Sequence, residues 1–331
     1  MGAGNATKVI ACIGAGRMGR GIAHCAAFGG HAVHLLDAKP RDPASFATFR
    51  ADALKEIEGG LTMLAGLGAF EAKLIPAIVA RVTVFPLEEA AAALASSDII
   101  FEGVPETREA KADGFALFDA HAPQGAILAS TTSTMLSTEL AGLTARPAHF
   151  LNAHFLNPAF LVPLVEVSPS DQTDPEVLTK LMGFLEGLGK VPVVCKAAPG
   201  YIVPRIQMLA MNEAARIVEE GVASAEDVDK AVRYGFGLRF SVLGLLEFID
   251  WGGGDILAYA SAYMSDVTGS DRYAAPDIIK KNMAEGNLGL RTGRGFYDYG
   301  DRDVQAWQSE KLGAFVKALR EADLLPPPAQ Q

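Results

Sequence analysis

A histidine and a glutamate lie in an otherwise apolar stretch of the sequence, "AHFLNPAFLVPLVEV" at residues 153–167. His154 and Glu166 are twelve positions apart, and a buried charge without a partner is costly. A carboxylate that binds one imidazole nitrogen fixes the tautomer, and it stabilises the imidazolium that forms when the other nitrogen takes a proton. The segment therefore predicts a general base, His154, that is oriented by Glu166.

A glycine-rich turn near the N-terminus predicts a dinucleotide site. Gly14, Gly16 and Gly19 form G-x-G-x-x-G between a β-type run and a helical stretch. The first glycine of this motif makes a tight turn, the second lets the backbone approach a pyrophosphate, and the third packs the helix against the strand. The free N–H groups at the start of the helix then face the phosphates.

Asp37 ends the next β-type run, eighteen residues after Gly19. A carboxylate at this point accepts hydrogen bonds from the adenosine ribose and repels a 2′-phosphate, which favours NAD over NADP. Lys39 and Arg41 lie close by and weaken this preference without reversing it. A dinucleotide oxidoreductase that acts on an alcohol also needs a base near the reacting hydroxyl group, commonly His, Lys or Tyr.

Five other histidines compete with His154 for that role: His24, His31, His34, His121 and His149. A histidine in an apolar strand is by default a core residue. His154, however, lies near the end of its strand, where open α/β sheets bind their ligands. Asn157 and Glu166 also follow it in the sequence, and these two polar residues favour His154 as the base.

Strands alternate with helices from the N-terminus to about residue 198, which predicts an α/β, Rossmann-type, doubly wound and mostly parallel sheet. After "KAAPGYIVPR" (196–205) no further β-type run follows, and an amphipathic helix ends at Gly221. The sequence therefore predicts a dinucleotide-binding domain at residues 1–198 and an all-helical second domain at 199–331. We expect the active site in the cleft between them.

The composition is typical of a globular enzyme. Of 331 residues, 50% are hydrophobic and 21% are charged, and the net charge of −10 disfavours nucleic acid and anionic membranes as partners. Three scattered cysteines lack metal-ligand spacing, so we expect free thiols in a reducing cytoplasm and no metal. No apolar run approaches the roughly 18 residues that span a bilayer, and the N-terminus lacks the apolar core of a signal peptide.

Six segments resemble, in order, the signature segments of the 3-hydroxyacyl-CoA dehydrogenase family, 3-hydroxybutyryl-CoA type. They are "CIGAGRMGRGIA", "FEGVPETREAK", "ASTTSTM", "AHFLNP…LVEV", "APGYIVPR" and "GLRTGRGFYDYG". The resemblance extends from about residue 7 to residue 300. It implies a homodimeric, NAD-dependent oxidoreductase of fatty acid metabolism, which oxidises the 3-hydroxyl group of a 3-hydroxyacyl substrate to the 3-oxo product.

The resemblance also implies roles for individual residues. His154 is the implied general base and Glu166 its orienting carboxylate, while Ser133 would donate a hydrogen bond to the substrate oxygen. Asn157 would help to hold the pair and to bind the substrate. The implied cofactor-binding residues are Gly14, Gly16, Arg17, Met18, Gly19, Asp37, Glu106 and Lys111. From the residues alone, Glu106 and Lys111 fit the start of a solvated helix equally well, and Ser133 fits a turn or cap.

Two departures from the family pattern concern the substrate. Pro204 and Thr131 stand where the family usually has asparagine, and proline supplies neither a side-chain nor a backbone donor. The stretch "GFGLRFSVLGLLEFID" (235–250) is more similar to the L-gulonate and carnitine dehydrogenase branch, and its Arg239 would bind a free carboxylate or is a surface arginine.

Residues 43–80 are rich in Ala, Leu and Glu at helical spacing, which predicts a long helical segment, and they are poor in the lysines that would bind CoA phosphates. A free 3-hydroxy acid, L-gulonate- or carnitine-like, is therefore the alternative substrate to a CoA thioester. A non-catalytic NAD-binding protein is the alternative from a different class.

Overall fold

The computed structural model describes residues 7–325 and 327. The chain divides into two compact units, Met1–Ala210 and Met211–Gln331. The sequence places residues 199–210 in the helical domain, whereas in the structure they belong to the unit that contains the sheet. Hydrogen bonds link these residues to buried side chains of the sheet: Tyr201 accepts one from Asn152, and the N–H groups of Ile202 and Val203 donate to Glu166.

The first unit is built on a single sheet of eight strands. These are β1 (Val9–Ile13), β2 (Ala32–Leu36), β3 (Val82–Phe85), β4 (Ile99–Glu102), β5 (Ile127–Ser130), β6 (Phe150–Phe155), β7 (Leu164–Pro169) and β8 (Val191–Val194). They lie in the order β3-β2-β1-β4-β5-β6-β7-β8, and all neighbours are parallel except β6 and β7. The order of the first six strands is that of doubly wound dinucleotide-binding folds, which confirms the predicted sheet.

Helices cover both faces of this sheet. Along β1, Ile10 and Cys12 enter one hydrophobic core, whereas Ala11 and Ile13 enter a second one. Because successive side chains of a strand point to opposite faces, both faces are buried. The helices of this unit are α1 (Arg17–Phe28), α2 (Pro43–Gly66), α3 (Ile75–Val79), α4 (Ala90–Leu94), α5 (Arg108–His121), α6 (Ser137–Leu140) and α7 (Pro175–Gly187).

The helical stretch predicted at residues 43–80 is interrupted. α2 ends at Gly66, and Gly68 adopts a φ of +82°, a left-handed conformation that stops a helix. Helical structure of the α type resumes only with the short α3.

The second unit is helical, and no β-strand occurs among its residues up to 325 and at 327. Its helices are α8 (Val203–Glu219), which begins in the first unit, α9 (Ala225–Ala231), a π-helix (Val232–Gly237), α10 (Leu238–Phe240), α11 (Leu245–Gly252), α12 (Gly254–Thr268), α13 (Asp277–Ala284) and α14 (Val304–Glu321). In the part of the chain that the structure describes, none of the helices is both long and apolar enough to cross a membrane.

A buried carboxylate organises the loop before α14. Asp250 accepts hydrogen bonds from the N–H groups of Phe296 and Tyr297, at 2.9 Å each, and from the hydroxyl group of Tyr299 at 3.1 Å. A Cβ atom at Gly295 would lie 2.0 Å from Asp250 Oδ1, so the backbone can approach the carboxylate only because this residue is glycine. These three hydrogen bonds satisfy the buried carboxylate, which makes Asp250 a structural carboxylate.

Candidate active site

The glycine turn has the geometry that a pyrophosphate site requires. Gly14 follows β1 with a φ of +101°, and a Cβ atom there would lie 2.7 Å from the carbonyl oxygen of Gly103. At Gly19 a Cβ atom would lie 2.0 Å from the carbonyl oxygen of Gly14, so both positions require glycine. Gly16 faces open space and precedes α1, whose first N–H groups have no side-chain cap. These N–H groups and the helix dipole suit an anionic ligand.

A cavity of about 950 Å³ adjoins this turn. Its lining includes the predicted cofactor residues Gly14, Gly16, Arg17, Met18 and Asp37. Asp37 is buried at the end of β2, where Arg41 forms an ion pair with its carboxylate and lies 4.2 Å from the centre of the Phe49 ring. Because Asp37 already neutralises Arg41, this cation is not free to attract a 2′-phosphate, and the cavity suits NAD.

The sheet brings His154 and Glu166 together. β6 and β7 are antiparallel, and His154 lies directly opposite Glu166 in their register. His154 Nδ1 and Glu166 Oε2 are 2.9 Å apart, and Glu166 is fully buried. Within the described residues, no other histidine has a nitrogen within 4.0 Å of a carboxylate oxygen. The antiparallel pairing therefore turns a separation along the chain into a cross-strand contact.

The second oxygen of Glu166 binds the start of α8. Glu166 Oε1 accepts hydrogen bonds from the N–H groups of Ile202, at 2.9 Å, and Val203, at 2.7 Å. At a helix N-terminus such N–H groups have no partner within the helix, and a negative charge there is favourable, so the Glu166 carboxylate suits this position. Pro204 lies in the first turn of this helix, where a missing N–H group costs little.

Tyr201 is a site residue that sequence reasoning missed. Its ring stacks on the His154 imidazole, with centres 4.9 Å apart and planes within 3°. Its hydroxyl group donates to the carbonyl oxygen of Thr132 at 2.8 Å and accepts from Asn152 Nδ2 at 3.1 Å. Burial raises the pKa of this hydroxyl well above its ordinary value, so it remains a donor. Its place in "APGYIVPR" was visible, but no local pattern reveals a stacking partner on another strand.

Ser133 and Glu106 are in direct contact. Glu106 Oε1 accepts from the Ser133 N–H group at 2.6 Å and from its hydroxyl at 3.2 Å, and Oε2 accepts from the Thr132 hydroxyl at 2.8 Å. Partial burial alone would raise the pKa of Glu106, but these hydrogen bonds and the Lys111 cation outweigh it and lower the pKa. The carboxylate therefore stays ionised and holds the loop that carries Ser133.

Lys111 is buried, so the interpretation of this residue as part of a solvated helix start is wrong. Its ammonium group donates to both carboxylate oxygens of Glu102, at 3.2 and 3.0 Å, and Nζ lies 3.6 Å from Glu106 Oε2. Glu102 is fully buried and also accepts from the Ser130 hydroxyl at 2.5 Å. These hydrogen bonds offset the desolvation cost of the buried ion pair, and the Lys111 cation also attracts the Glu106 carboxylate.

Two family models match consecutive parts of the chain. The model of the 3-hydroxyacyl-CoA dehydrogenase NAD binding domain matches residues 9–198, and the model of the C-terminal domain matches residues 200–299. The chain belongs to the 3-hydroxyacyl-CoA dehydrogenase family. This dehydrogenase is an NAD-dependent oxidoreductase, and it oxidises the 3-hydroxyl group of a 3-hydroxyacyl substrate.

Individual relatives agree with this assignment. A probable 3-hydroxybutyryl-CoA dehydrogenase of Bacillus subtilis is 32% identical over 89% of this chain and 98% of its own. The mitochondrial hydroxyacyl-coenzyme A dehydrogenase of Homo sapiens is 33% identical over 88% of this chain and 91% of its own. The crystal structure of a 3-hydroxyacyl-CoA dehydrogenase from Archaeoglobus fulgidus has a TM-score of 0.73 and 29% identity, and the match covers 96% of this chain and 100% of that one.

A relative named for a different substrate matches over a similar length. The 5-formyl-3-hydroxy-2-methylpyridine 4-carboxylate 5-dehydrogenase of Mesorhizobium japonicum is 29% identical over 94% of this chain and 97% of its own. The name of that relative specifies a pyridine carboxylate as its substrate.

Two predicted site residues take no part in these contacts. Asn157 is exposed, and within the described residues it makes no hydrogen bond to His154 or Glu166. The N–H groups of Ile202 and Val203 bind Glu166 instead. Arg239 belongs to the second unit, where its guanidinium group lies 4.6 Å from the centre of the Phe248 ring. Roles for these two residues, and contacts of Glu106 and Lys111 with the nicotinamide, stay predictions.

Proposed function

We propose that His154 is the general base of this dehydrogenase and takes the proton of the 3-hydroxyl group through Nε2. The observation that supports this role is the 2.9 Å hydrogen bond between His154 Nδ1 and the buried carboxylate of Glu166. It places the ring proton on Nδ1 and leaves Nε2 as the acceptor, and no group among residues 7–325 and 327 hydrogen-bonds Nε2. When NAD+ is bound, it supplies the hydride acceptor.

Ser133 donates a hydrogen bond to the substrate oxygen in this proposal. Its hydroxyl bond to Glu106 is 3.2 Å long, which is weak for an O–H donor, so exchange for a substrate oxygen costs little. The stronger 2.6 Å bond from the Ser133 N–H group holds the backbone in place during that exchange. Asn157 is exposed and supplies a further amide group for the substrate.

The test is to measure NADH production by the His154→Ala variant. Loss of a general base should lower kcat by about 10²–10⁴-fold. His121→Ala is the control, because His121 is a half-buried residue at the end of α5 and lies outside the contacts of the site. A His154→Ala enzyme within a few-fold of wild type would remove His154 as the base.

A free 3-hydroxy acid is the second candidate substrate, and Arg239 favours it. Within the described residues this guanidinium group has no carboxylate partner, and its stacking on Phe248 holds it ready for a planar, two-oxygen ligand. Helix α2, in contrast, offers only Arg50 and Lys55 as cations and carries three acidic residues, which gives CoA phosphates little attraction.

Substrate turnover separates the two candidates. NADH production is measured with 3-hydroxybutyryl-CoA, free 3-hydroxybutyrate, L-gulonate and L-carnitine. Turnover of only the free acids excludes the CoA thioester, and turnover of only the thioester excludes the second candidate. With a free acid, Arg239→Ala should raise KM by about ten-fold or more, whereas Arg233→Ala, a change at an exposed arginine of the adjoining π-helix, should not.

A homodimer is also part of the proposal. One face of α12 carries four large apolar side chains that are each 55–66% exposed: Ile256, Tyr259, Tyr263 and Val267. A stripe of this kind is typical of a helix that packs against a partner. Light scattering should give twice the chain mass of 34.9 kDa. Tyr259→Glu with Tyr263→Glu should give a single chain, whereas Leu312→Glu, at an exposed leucine of α14, should remain dimeric.

The cytoplasm is the proposed compartment, with a role in fatty acid metabolism. The three thiols support a reducing environment, because Cys12 and Cys25 are buried and none of the three forms a disulfide. Some relatives are named as mitochondrial, so fractionation of the source cells is the direct test.

A further inference from the structure

Tyr201 contacts His154 and the loop that carries Ser133, the two residues to which the proposed function assigns chemistry. Its ring stacks on His154, and its hydroxyl group binds the loop that contains Ser133. We propose that Tyr201 is a positioning residue for the dehydrogenase reaction, which aligns the base and the Ser133 loop through one side chain. This inference rests on the proposed roles of His154 and Ser133, and its test is arranged so that the two can fail separately.

The backbone around Tyr201 fixes the ring in place. Gly200 and Tyr201 both have positive φ values, +78° and +46°, and the second is unusual for a residue with a side chain. The next two N–H groups in the chain, of Ile202 and Val203, both bind Glu166. The same turn therefore holds the carboxylate and presents the ring to the imidazole that this carboxylate orients. Tyr201 is only 7% exposed, so its ring has little freedom to move away.

The hydroxyl group has a separate task from the ring. It donates to the Thr132 carbonyl oxygen, and it accepts from Asn152 Nδ2, which in turn donates to the carbonyl oxygen of Met135 at 3.0 Å. These contacts reach the loop on both sides of Ser133. Thr132 and Asn152 are buried, so no water can replace the hydroxyl without rearrangement.

This division of tasks makes Tyr201→Phe a clean perturbation. The variant keeps an aromatic ring against His154 and removes only the bonds to Thr132 and Asn152. If the hydroxyl acts through Ser133, its removal should lower kcat only while Ser133 has its own hydroxyl. A role confined to packing predicts the same fold-change whether or not that hydroxyl is present.

The experiment is a double-mutant cycle of Tyr201→Phe and Ser133→Ala, with kcat and the KM for NAD measured by NADH production. In the wild-type background we expect Tyr201→Phe, which removes the hydroxyl and both of its hydrogen bonds, to lower kcat by about 5–10-fold and to leave the KM for NAD unchanged. In the Ser133→Ala background we expect its effect on kcat to shrink to within about two-fold. Tyr201→Leu removes the ring as well and should lower kcat further in both backgrounds.

Tyr299→Phe is the matched control, because Tyr299 is a buried tyrosine whose hydroxyl binds the structural carboxylate of Asp250. Melting temperatures confirm that each variant is folded at the assay temperature. A Tyr201→Phe kcat equal to wild type, or an equal fold-loss in both Ser133 backgrounds, overturns the role of the hydroxyl. A Tyr201→Leu enzyme no worse than Tyr201→Phe overturns the role of the ring. Failure of the proposed function is a different result, namely an active His154→Ala enzyme.

Discussion

Replacing Glu166 by glutamine tests how the base is oriented. The carboxylate accepts from His154 Nδ1 on one oxygen and from Ile202 and Val203 on the other. A glutamine has one acceptor oxygen and one donor NH₂ group, so it cannot satisfy both sides. If its oxygen faces the backbone, its NH₂ group faces Nδ1, and the ring proton moves to Nε2, where it blocks proton abstraction. If the amide is turned round, the NH₂ group opposes two N–H donors in a fully buried place.

The loss of charge sets the size of the effect on the rate. A carboxylate and an imidazolium whose charge centres are about 4 Å apart attract each other by about 4 kcal/mol at an effective dielectric constant of 20. At 1.36 kcal/mol for each factor of ten, this attraction corresponds to about 10³-fold in kcat. The unmatched N–H groups of the second arrangement cost about 1–3 kcal/mol of the free energy of unfolding.

The assay measures kcat by NADH production and the melting temperature of the same samples. Asp250→Asn is the matched control, because Asp250 is also a buried carboxylate that accepts two backbone N–H groups. We expect both variants to melt at a lower temperature and only Glu166→Gln to lose about 10³-fold in kcat. A folded Glu166→Gln enzyme within about ten-fold of wild type would refute the reasoning, since orientation and charge would then contribute little to the base.

Three further changes have predicted outcomes. Asp37→Ala frees the guanidinium group of Arg41 from its ion pair. The value of kcat/KM with NADP, divided by that with NAD, should then rise by about ten-fold or more. An unchanged ratio would show that the ion pair does not govern cofactor choice. Gly14→Ala places a Cβ atom 2.7 Å from the Gly103 carbonyl oxygen, and calorimetry should show NAD affinity lower by at least about ten-fold, whereas normal binding would contradict the tight approach. Burial lowers the pKa of His24 to about 4, below the unfolded value of about 6.5, so stability present above pH 6.5 is lost as the pH falls towards 4. The free energy of unfolding is measured in urea at pH 7 and at pH 4.5. Between these pH values the His24→Asn variant should lose about 2 kcal/mol less of it than the wild type does. Equal losses in the two proteins would contradict a buried neutral imidazole at His24.

The strands and the cofactor loop could be predicted from the sequence because their causes are local. A β-type run, a glycine that needs a positive φ, and an acidic residue at the next strand end are all properties of neighbouring residues, and Gly14 and Asp37 lie where these patterns predict. The long helix at 43–80 was wrong in extent for an equally local reason. Gly68 interrupts an otherwise helical composition, and a single left-handed residue outweighs the average propensity around it.

The sequence by itself determined the chemical groups of this protein and their approximate places, namely a dinucleotide loop, a histidine and a glutamate on neighbouring strands. Only the tertiary structure decided what surrounds those groups. Tyr201 reaches His154 because a turn far along the chain folds back onto the sheet. Lys111 is buried because helix α5 packs on the sheet, where its ammonium group meets Glu102 of β4 and Ser130 of β5. Hydrogen bonds and stacking between distant segments depend on distances in space, and periodicity along a chain carries no record of them.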